Sequence, residues 1–496
     1  MTLGELLANV RLKNPLPAEL AQTLVQGLEY DSRRVSPGFL FFAFPGARAD
    51  GRDFARDALA RGAVAVVSAS EAPLELAPRW IETEHGRQAL ALASWKFYGR
   101  PDERVAICGL TGTNGKTTTG FLVDSVLRAA GHTTALIGTI EYHLAGRVLP
   151  AANTTPESLD LARIFAELAA GGGTHATMEV SSHALVLGRV YGLRFHTAVF
   201  TNLTRDHLDF HGSMEAYFAA KQALFEGDGA PPPRFAVLNR DDAYARRIRL
   251  RPETEALWYG LGQESGLRAR HISSGPHGLK FEVQSGKLRF ETQSALIGRI
   301  NVYNILAACG AGLAFGIAPE AIARGIAGLR AVPGRFERVD EGQPFLVVVD
   351  YAHTDDALRS VIAVARGLKP KPKRVITVFG CGGDRDRSKR PLMGQAAAEA
   401  SDLVVLTSDN PRSEDPLAIM NDALVGIRRV DVPHVMEPDR AAAIAYALKE
   451  ARPGDIVILA GKGHETYQIF KDRTIAFDDR IVARETLKGY GYNRSV

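Results

Sequence analysis

Cysteine is scarce in this chain of 496 residues, and its three cysteines share no metal-binding spacing. Three cysteines are too few for a disulfide framework, and Cys108 and Cys309 stand in apolar runs that are typical of small core residues. Long apolar stretches are also lacking, and the first residues do not have the build of a signal peptide. We therefore expect a cytoplasmic protein without membrane insertion.

The chain also has no large excess of positive or negative charge. The net charge is only +4, which does not indicate a nucleic-acid partner but is compatible with small anionic substrates. Hydrophobic residues make up 46% of the chain, as in ordinary globular proteins. The length is too great for one hydrophobic core and suggests about three domains.

Residues 104–119 have the build of a phosphate-binding loop. An apolar run predicts a buried strand over Val105–Leu110, and a pattern of helical spacing begins after Thr119. Glycines, Lys116 and Thr117 stand between them. Backbone N–H groups at a helix N-terminus attract phosphate, the lysine adds a positive charge, and the hydroxyl suits Mg²⁺. The sequence therefore predicts a nucleotide site.

The loop departs from the general P-loop pattern at one position. That pattern places a glycine five residues before Gly115, where this chain has Leu110. The variant Thr111-Gly-Thr-Asn-Gly-Lys-Thr117 must therefore be judged by its surroundings. The alternative is an ordinary glycine turn before Lys-Thr, and the strand and helix on either side argue against it.

Pattern changes divide the chain into three α/β domains. We expect a small N-terminal domain over residues 1–101, a central P-loop ATPase-type domain with a mostly parallel sheet over residues 102–332, and a C-terminal Rossmann-like domain over residues 333–496. Short alternating runs at residues 255–292 predict an antiparallel extension of the central sheet. The buried strands predicted for the two larger domains cover residues 134–138, 176–180, 198–202, 236–239, 345–349, 375–379, 403–406 and 456–459.

Two polar groups follow predicted strands of the central domain. Glu179 stands near the end of its strand, where P-loop enzymes hold Mg²⁺, although an isolated glutamate there can also be structural. The next strand ends in a stretch rich in histidine and aspartate, residues 202–212. His207 in that stretch is a candidate second ligand, because a neutral imidazole can bind a metal without adding charge.

Lys221 falls on the apolar stripe of a predicted helix that contains Tyr217 and Phe225. A lysine in this place can pack its stem and extend its ammonium to water. Alternatively, burial lowers its pKa until the amine reacts with CO₂, and the resulting carbamate is a ligand for Mg²⁺. The residues alone leave both interpretations open.

Polar loops follow four predicted strands of the third domain, and loops at the carboxyl ends of such strands hold ligands. Arg412 presents a planar fork suited to a carboxylate, and Glu465 suits an ammonium group. Together they would fit a zwitterionic amino acid, while a surface salt bridge is the alternative. The four loops are residues 350–353, 380–385, 408–412 and 461–465.

Taken in order, these motifs closely resemble those of the Mur ligases over nearly the whole chain. The resemblance implies an ATP-dependent amide ligase of peptidoglycan precursor synthesis. In such an enzyme the D-glutamyl carboxylate of UDP-N-acetylmuramoyl-L-alanyl-D-glutamate attacks ATP, and an amine then displaces phosphate from the acyl phosphate. The motifs are Asp31-Ser-Arg33, Thr111–Thr117, Asn153-Thr-Thr-Pro156, Glu179-Val-Ser-Ser-His183, Asn202–Asp209, Asn301-Val-Tyr-Asn304, Pro333-Gly-Arg-Phe336 and Asp350-Tyr-Ala-His353.

The resemblance also implies roles for single residues. The expected catalytic residues are Lys116, Glu179, His207 and Lys221. The expected Mg²⁺ ligands are Thr117, Glu179, His207 and Lys221, and Lys221 matches the lysine that the family carbamylates with CO₂. The residues expected around ATP are Gly112, Thr113, Asn114, Gly115, Lys116, Thr117, Asn301, Asn304, Arg335, Asp350 and His353. Those matched to the UDP-muramoyl substrate are Ser32, Asn153, Thr154, Thr155, Ser181 and Arg189.

The loop Asp409-Asn-Pro-Arg412 resembles the signature of family members that add meso-diaminopimelate rather than L-lysine. Lysine lacks the second carboxylate and would leave Arg412 unpaired, which can discriminate by roughly 10⁴-fold. Two positions depart from the family: Asp355 replaces a usual proline, and Leu187 stands where some relatives have glutamine. The residues expected to contact diaminopimelate are Arg385, Asp409, Asn410, Pro411, Arg412, Gly461 and Glu465.

Other assignments agree less well with the sequence. Folylpolyglutamate synthetase shares the fold and the phosphate loop, but the first domain and the Asp-Asn-Pro-Arg loop argue against it. A P-loop binding protein without ligase chemistry would not need Glu179, His207 and Lys221 together. A ligase that adds L-lysine is the nearest alternative, and Arg412 argues against it. We expect a monomer that acts on small molecules.

Overall fold

The structure, a computed structural model, describes residues 1–46 and 49–493. They form two compact units, residues 1–268 with 306–325, and residues 269–305 with those from 326 onward. Neither unit contains a described helix with the length and apolar character that a membrane crossing requires. The predicted domain boundaries after residues 101 and 332 stay predictions.

The first unit begins with a small parallel sheet of strands in the order β1-β2-β3-β4. Buried apolar side chains cover both of its faces, as is usual for parallel sheets. The predicted small α/β domain is confirmed. The strands are β1 (Gly27–Glu29), β2 (Phe39–Ala43), β3 (Ala65–Ser68) and β4 (Trp80–Glu82), and the helices are α1 (Leu3–Leu7), α2 (Ala18–Ala21), α3 (Ala55–Ala60) and α4 (Gly86–Phe97).

The larger sheet of the first unit is built from β5 (Ala106–Thr111), β6 (Thr134–Ile137), β7 (Glu141–Leu144), β8 (Arg147–Pro150), β9 (His175–Glu179), β10 (Thr197–Phe200), β11 (Phe235–Asn239), β12 (Glu255–Gly260) and the first two residues of β13 (Leu267–Gly275), whose other residues belong to the second unit. The helices that follow its strands are α5 (Lys116–Ala129), α6 (Ser158–Ala170), α7 (Ser182–Val186), α8 (Leu208–His211) and α9 (Met214–Glu226). Further along the chain come α10 (Ile300–Ala314) and α11 (Pro319–Gly328).

The strand order is β13-β12-β11-β10-β5-β9-β6-β7-β8, and the six strands from β12 to β6 are parallel. The predicted mostly parallel sheet is therefore confirmed. Strand β5 lies between β9 and β10, so the loops after all three meet at one edge of the sheet. This edge is where the phosphate loop, Glu179 and His207 come together.

One expectation for this sheet was wrong. Residues 255–259 were expected to be antiparallel, but β12 pairs in parallel with β11, from Phe235 opposite Glu255 to Asn239 opposite Tyr259. The side chains of β12 pass from exposed at Glu255 and Ala256 to buried at Tyr259, so its cover changes along the strand and not between its two faces. Alternation reports how well the two faces of a strand are covered and carries no information on its direction.

In the second unit, β14 (Gly278–Ser285) and β15 (Leu288–Ser294) form the predicted antiparallel hairpin. The main sheet of this unit has the order β16-β17-β21-β18-β19-β20 and is parallel except for β16. Its strands are β16 (Glu337–Val339), β17 (Leu346–Asp350), β18 (Val375–Phe379), β19 (Leu403–Leu406), β20 (His434–Met436) and β21 (Ile456–Ala460), followed by a hairpin of β22 (Tyr467–Ile469) and β23 (Thr474–Ala476).

Helices pack on both faces of this sheet around two apolar cores, which confirms the Rossmann-like prediction. Thr354 caps the first helix by accepting a hydrogen bond from Ala357 N at 3.2 Å. Asp355 lies in the first turn of that helix, where its charge is favourable toward the helix dipole, so the unusual Asp355 begins a regular helix. The helices are α12 (Asp355–Arg366), α13 (Lys389–Ala400), α14 (Pro416–Ile427), α15 (Arg440–Glu450) and α16 (Asp479–Gly489).

We predict that His175 makes the fold sensitive to acid. Burial, and then the neighbouring His132 and His196, lower the pKa of His175 to about 4. Because the unfolded chain binds the proton near pH 6.5, stability is lost as the pH falls from 7 toward 4. Allowing for the partial exposure of the ring, we expect a loss of about 1 kcal/mol at pH 5.

Calorimetric melting at pH 7.5 and pH 5 tests this expectation. His175→Phe keeps the ring packing against Phe315, whose centroid lies 5.1 Å away, and should reduce the acid-induced drop in Tm by about 2–4 °C. His434→Gln alters an exposed histidine and is the control. Equal drops in the wild type and in His175→Phe would contradict the prediction.

Candidate active site

The phosphate loop connects β5 to α5 and requires glycine at two positions. Gly112 has a φ of 142° and Gly115 a φ of 87°, which L side chains rarely adopt. A Cβ at Gly112 would also collide with the hydroxyl of Thr201. The loop thus passes the end of β10 so closely that only a glycine fits there.

Residues after β10 hold the loop in place from one side. The carbonyl of Asn202 accepts a hydrogen bond from Thr113 N at 2.8 Å, and its side-chain Oδ1 accepts one from Asn114 N at 3.0 Å. Thr201 Oγ1 donates to the Asn114 carbonyl at 2.7 Å. These bonds order the loop, while α5 begins at Lys116 and directs its N-terminus into the loop.

Two lysine side chains meet at the carbonyl oxygen of Gly112. Lys116 Nζ donates to this oxygen at 2.9 Å, and Lys221 Nζ donates to it at 2.8 Å. Lys221 lies on α9 and is only 1% exposed, so its ammonium does not reach water. Burial and the nearby Lys116 lower the pKa of Lys221 well below its usual value. The amine is therefore unusually available in its neutral form.

Glu179 ends β9 and is 2% exposed. Its two carboxylate oxygens accept hydrogen bonds from Thr139, one from the backbone N–H at 2.9 Å and one from the hydroxyl at 3.1 Å. A Cβ at Gly138 would lie 2.6 Å from Glu179 Oε1, so the chain also passes close to this carboxylate. Thr139 thus orients Glu179, a role that the sequence did not indicate.

Predicted substrate residues surround Glu179. The hydroxyl of Thr154 lies 3.1 Å from that of Thr139, and the hydroxyl of Thr155 donates to the Glu179 carbonyl at 2.9 Å. Ser181 N in turn donates to Thr155 Oγ1 at 3.1 Å. Arg189 donates to the Thr155 carbonyl at 3.0 Å. Four of the predicted contacts to the UDP-muramoyl substrate therefore form one network next to the phosphate loop.

The remaining two predicted substrate residues are also defined. Asn153 N donates to the hydroxyl of Tyr142 at 3.1 Å. Ser32 is buried in a short 3₁₀ turn, Ser32–Arg34, which Asp31 caps. Leu187, the other departure from the family pattern, follows α7, and nothing in the structure explains the exchange of glutamine for leucine there.

His207 has a left-handed backbone with φ 51° and a half-exposed side chain. Its ring centroid lies 4.9 Å from that of His183, and its Nε2 lies 3.4 Å from Asp206 Oδ2. Burial lowers the pKa of His207 to about 4. The ring is thus neutral at physiological pH, the state in which imidazole can bind a metal.

The donor groups at this edge suit Mg²⁺. No group of three histidine, cysteine, aspartate or glutamate side chains within residues 1–46 and 49–493 could enclose a metal. Mg²⁺ does not need such a group, because it keeps several waters and commonly uses one or two protein ligands together with substrate phosphates. The carboxylate of Glu179 and the buried hydroxyl of Thr117 are ligands of this kind.

In the second unit, the four predicted polar loops follow β17, β21, β18 and β19, which are neighbours in the sheet. Their carboxyl ends share one edge, as expected. Asp350 accepts hydrogen bonds from Phe336 N at 2.8 Å and from Ala352 N at 2.9 Å, and burial raises its pKa. Arg335 lies over the ring of Tyr351, 5.0 Å from its centroid, and His353 Nδ1 lies 2.8 Å from the Tyr351 carbonyl.

Two further residues predicted for the nucleotide, Asn301 and Asn304, lie in the second unit at the start of α10 and are hydrogen-bonded to each other at 2.8 Å. Their predicted approach to ATP stays a prediction. Both side chains are buried, so the amides have an ordered arrangement that does not depend on a ligand.

The loop after β19 contains Asp409, Asn410, Pro411 and Arg412. Arg412 has a φ of 53°, and its guanidinium donates to the Gly383 carbonyl at 2.7 Å. Asn410 donates to Glu465 Oε2 at 2.8 Å, and a Cβ at Gly461 would lie 2.8 Å from Asp409 Oδ2. Six of the seven residues predicted for the amino-acid substrate thus meet at neighbouring strand ends. Arg385, in the loop after β18, is exposed.

Three residues that the sequence did not single out belong to these networks. Thr139 holds Glu179, Tyr217 contacts Thr113 and Lys221, and Lys462 is fully buried beside Glu465. Lys462 stands in one of the four polar loops predicted to hold ligands, and that position was the signal available. Thr139 follows a short strand without any motif, and no pattern pointed to it.

Comparison with known families extends this picture. The model of the Mur ligase middle domain matches residues 110–312. The model described as "Mur ligase, glutamate ligase domain" matches residues 334–463, and that described as "Mur ligase family, catalytic domain" matches residues 24–98. Together the three matches cover most of the chain.

Curated relatives share most of the sequence. A UDP-N-acetylmuramoyl-L-alanyl-D-glutamate–2,6-diaminopimelate ligase of Solibacter usitatus is 74% identical over 495 residues, which is 100% of both chains. A ligase with the same name from Geobacillus thermodenitrificans is 47% identical and covers 94% of this chain and 95% of its own.

Solved structures resemble the fold. A structure of a diaminopimelate ligase of the same name has a TM-score of 0.71 at 33% identity and covers 99% of this chain and 100% of its own. A MurF ligase from Thermotoga maritima in complex with ADP has a TM-score of 0.61 at 18% identity and covers 94% and 96%. The second similarity concerns the fold alone.

We predict that Gly112→Ala weakens ATP binding at least tenfold, about 1.4 kcal/mol, because the new methyl group displaces the loop from Thr201. Gly131→Ala is the matched control: it also has a positive φ, 89°, but a Cβ there meets no atom within 4 Å. Calorimetric titration of both variants with ATP measures the difference. Equal affinities would contradict the steric argument.

Proposed function

The chain belongs to the Mur ligase family, and from this membership we infer that it is an ATP-dependent ligase that adds meso-diaminopimelate to UDP-N-acetylmuramoyl-L-alanyl-D-glutamate in peptidoglycan precursor synthesis. The observation that carries this conclusion is the 74% identity, over the full length of both chains, to a relative with that named activity. The charged and polar side chains in the loops of the second unit are consistent with an amino-acid substrate.

The reaction has two steps. The γ-carboxylate of the D-glutamyl residue attacks the γ-phosphorus of ATP, which forms an acyl phosphate and releases ADP. The amine of diaminopimelate then attacks the acyl carbon, the new C–N bond forms, and inorganic phosphate leaves after the nitrogen loses a proton. Catalysis of the first step depends on positioning and on stabilising the charge of the transferred group.

The residues at the carboxyl ends of β5, β9 and β10 can supply both effects. The N–H groups of the loop and of the α5 N-terminus bind the phosphates of ATP, and Lys116 places its positive charge at the same end of the loop. Mg²⁺ would be held by Thr117, Glu179, His207 and the carbamate of Lys221, and it supplies charge neutralisation on the phosphates. Thr154, Thr155 and Ser181 orient the muramoyl substrate from the side of Glu179.

The buried amine of Lys221 supports the carbamate. Carbamate formation requires that the ammonium first lose a proton; the neutral amine then attacks CO₂ and loses a second proton, so that a cation becomes an anion. The lowered pKa of Lys221 favours the neutral amine, and the change of sign removes its repulsion with Lys116. A free lysine ammonium in this place would repel both Mg²⁺ and Lys116.

For the second substrate, Arg412 and Glu465 provide complementary charges at neighbouring strand ends. Arg412 pairs with a carboxylate of diaminopimelate, and Glu465 pairs with an ammonium group. L-Lysine has no second carboxylate, so it would leave the guanidinium desolvated and without a carboxylate partner.

We predict that the purified enzyme releases ADP with meso-diaminopimelate and at least about 10³-fold less efficiently with L-lysine, measured as kcat/KM. Arg412→Lys should lower kcat/KM for diaminopimelate by about 10²-fold, because an ammonium cannot form the paired hydrogen bonds of a guanidinium. Arg428→Lys alters an exposed arginine after α14 and serves as the control. Equal rates with both amino acids would contradict the assignment of specificity.

We also predict that Lys221→Ala lowers kcat by at least about 10²-fold, because an anionic metal ligand is lost. Acetate or formate should restore part of this activity by occupying the vacated space, whereas Lys449→Ala, at an exposed position, should behave as the wild type. ADP release with and without the added carboxylate is the measurement. Full activity of Lys221→Ala without any addition would disprove the carbamate.

A further inference from the structure

Lys462 is a fully buried lysine in the loop between β21 and β22. Its side chain is 0% exposed, which is unusual for a lysine and costly unless its charge is paired. The Nζ atom lies 3.2 Å from Glu465 Oε2, 3.3 Å from Asn410 Oδ1 and 3.7 Å from Asp409 Oδ1. An ammonium has three donors, and three oxygens of the amino-acid loops surround it.

These three oxygens belong to a closed network. Asn410 Nδ2 donates to Glu465 Oε2 at 2.8 Å, and Asn410 Oδ1 also accepts from Ile469 N at 3.0 Å. The Asn410 amide is 4% exposed and uses both of its ends inside the protein. Gln468 closes the network by donating to the Asp409 carbonyl at 2.7 Å. Lys462 is thus a cation that contacts both carboxylates of this cluster, Asp409 and Glu465.

The two carboxylate oxygens of Glu465 differ in their contacts, and we call Oε2 the inner oxygen and Oε1 the outer oxygen. Oε2 accepts hydrogen bonds from both Asn410 and Lys462, whereas Oε1 accepts none from the part of the chain that the structure describes. The side chain is 15% exposed, so the carboxylate is anchored through its inner oxygen and still accessible to a ligand. A carboxylate anchored in this way is prepared to receive an ammonium without reorganising.

We propose that Lys462 is a positioning residue for the amino-acid substrate: it anchors Glu465 and Asn410 so that the outer oxygen of Glu465 binds the ammonium group of diaminopimelate. The inference rests on the proposed function, because it assumes that diaminopimelate is the substrate bound by these loops. Without the cation, Asp409 and Glu465 would repel each other, and the carboxylate of Glu465 would lose its fixed orientation.

The experiment uses the full-length enzyme and varies each substrate separately. Wild-type turnover with diaminopimelate is measured first, and its absence would refute the proposed function whatever Lys462 does. Lys462→Met removes the charge at similar volume and should raise the KM for diaminopimelate at least tenfold, while kcat and the KM values for ATP and the muramoyl dipeptide change less than about twofold. Lys471→Met, an exposed lysine in the β22–β23 hairpin, is the matched control and should change nothing.

A double variant distinguishes a positioning role of Lys462 from a general effect on the stability of the enzyme. If Lys462 acts through Glu465, then Lys462→Met combined with Glu465→Gln should have the same KM for diaminopimelate as Glu465→Gln alone. The double variant also removes both charges of the pair, so it remains informative where Lys462→Met does not fold. Multiplicative effects of the two substitutions, or a parallel rise of all three KM values, would overturn the proposal.

Discussion

Two lysine side chains share one backbone oxygen, the carbonyl of Gly112, and the phosphate end of the site depends on this contact. Lys116 reaches it from the start of α5 and Lys221 from the middle of α9, so two helices and the loop after β5 converge there. The carbonyl is available because Gly112 adopts a φ of 142° next to Thr201. Backbone geometry thus determines where two charges of the same sign come together.

Two ammonium groups at this carbonyl repel each other, and the arrangement becomes favourable when one of the two lysines carries a negative charge instead. Lys221 is buried and lies near a second cation, so its neutral form is favoured. Conversion of that amine to an anion would turn repulsion into attraction and add an oxygen ligand for Mg²⁺. A carbamate at Lys221 beside the cation Lys116 would therefore make the loop suitable for a nucleotide with its metal.

In the second unit, backbone carbonyls at the carboxyl ends of strands likewise hold a buried cation. Arg440 and Asp479 form a fully buried ion pair, and the guanidinium also donates to the carbonyls of Ser408 and Ala460, which tie together the ends of β19 and β21. The loops that begin at those ends contain Asp409 and Gly461. A rigid strand edge and a buried cation, Lys462, together fix the polar groups that face an amino acid.

The sequence by itself determined the doubly wound sheets, the phosphate loop and the order of the polar strand ends, because apolar periodicity and glycine spacing report local structure directly. It did not determine the direction of β12, the contact between Thr139 and Glu179, or the role of Lys462. These depend on which strands become neighbours and on what surrounds a side chain after folding. Burial decided most. The apolar stripe of its helix singled out Lys221 but left its burial open, and Lys462 drew no prediction. Only the packed structure removes both side chains from water and gives them specific oxygens to contact.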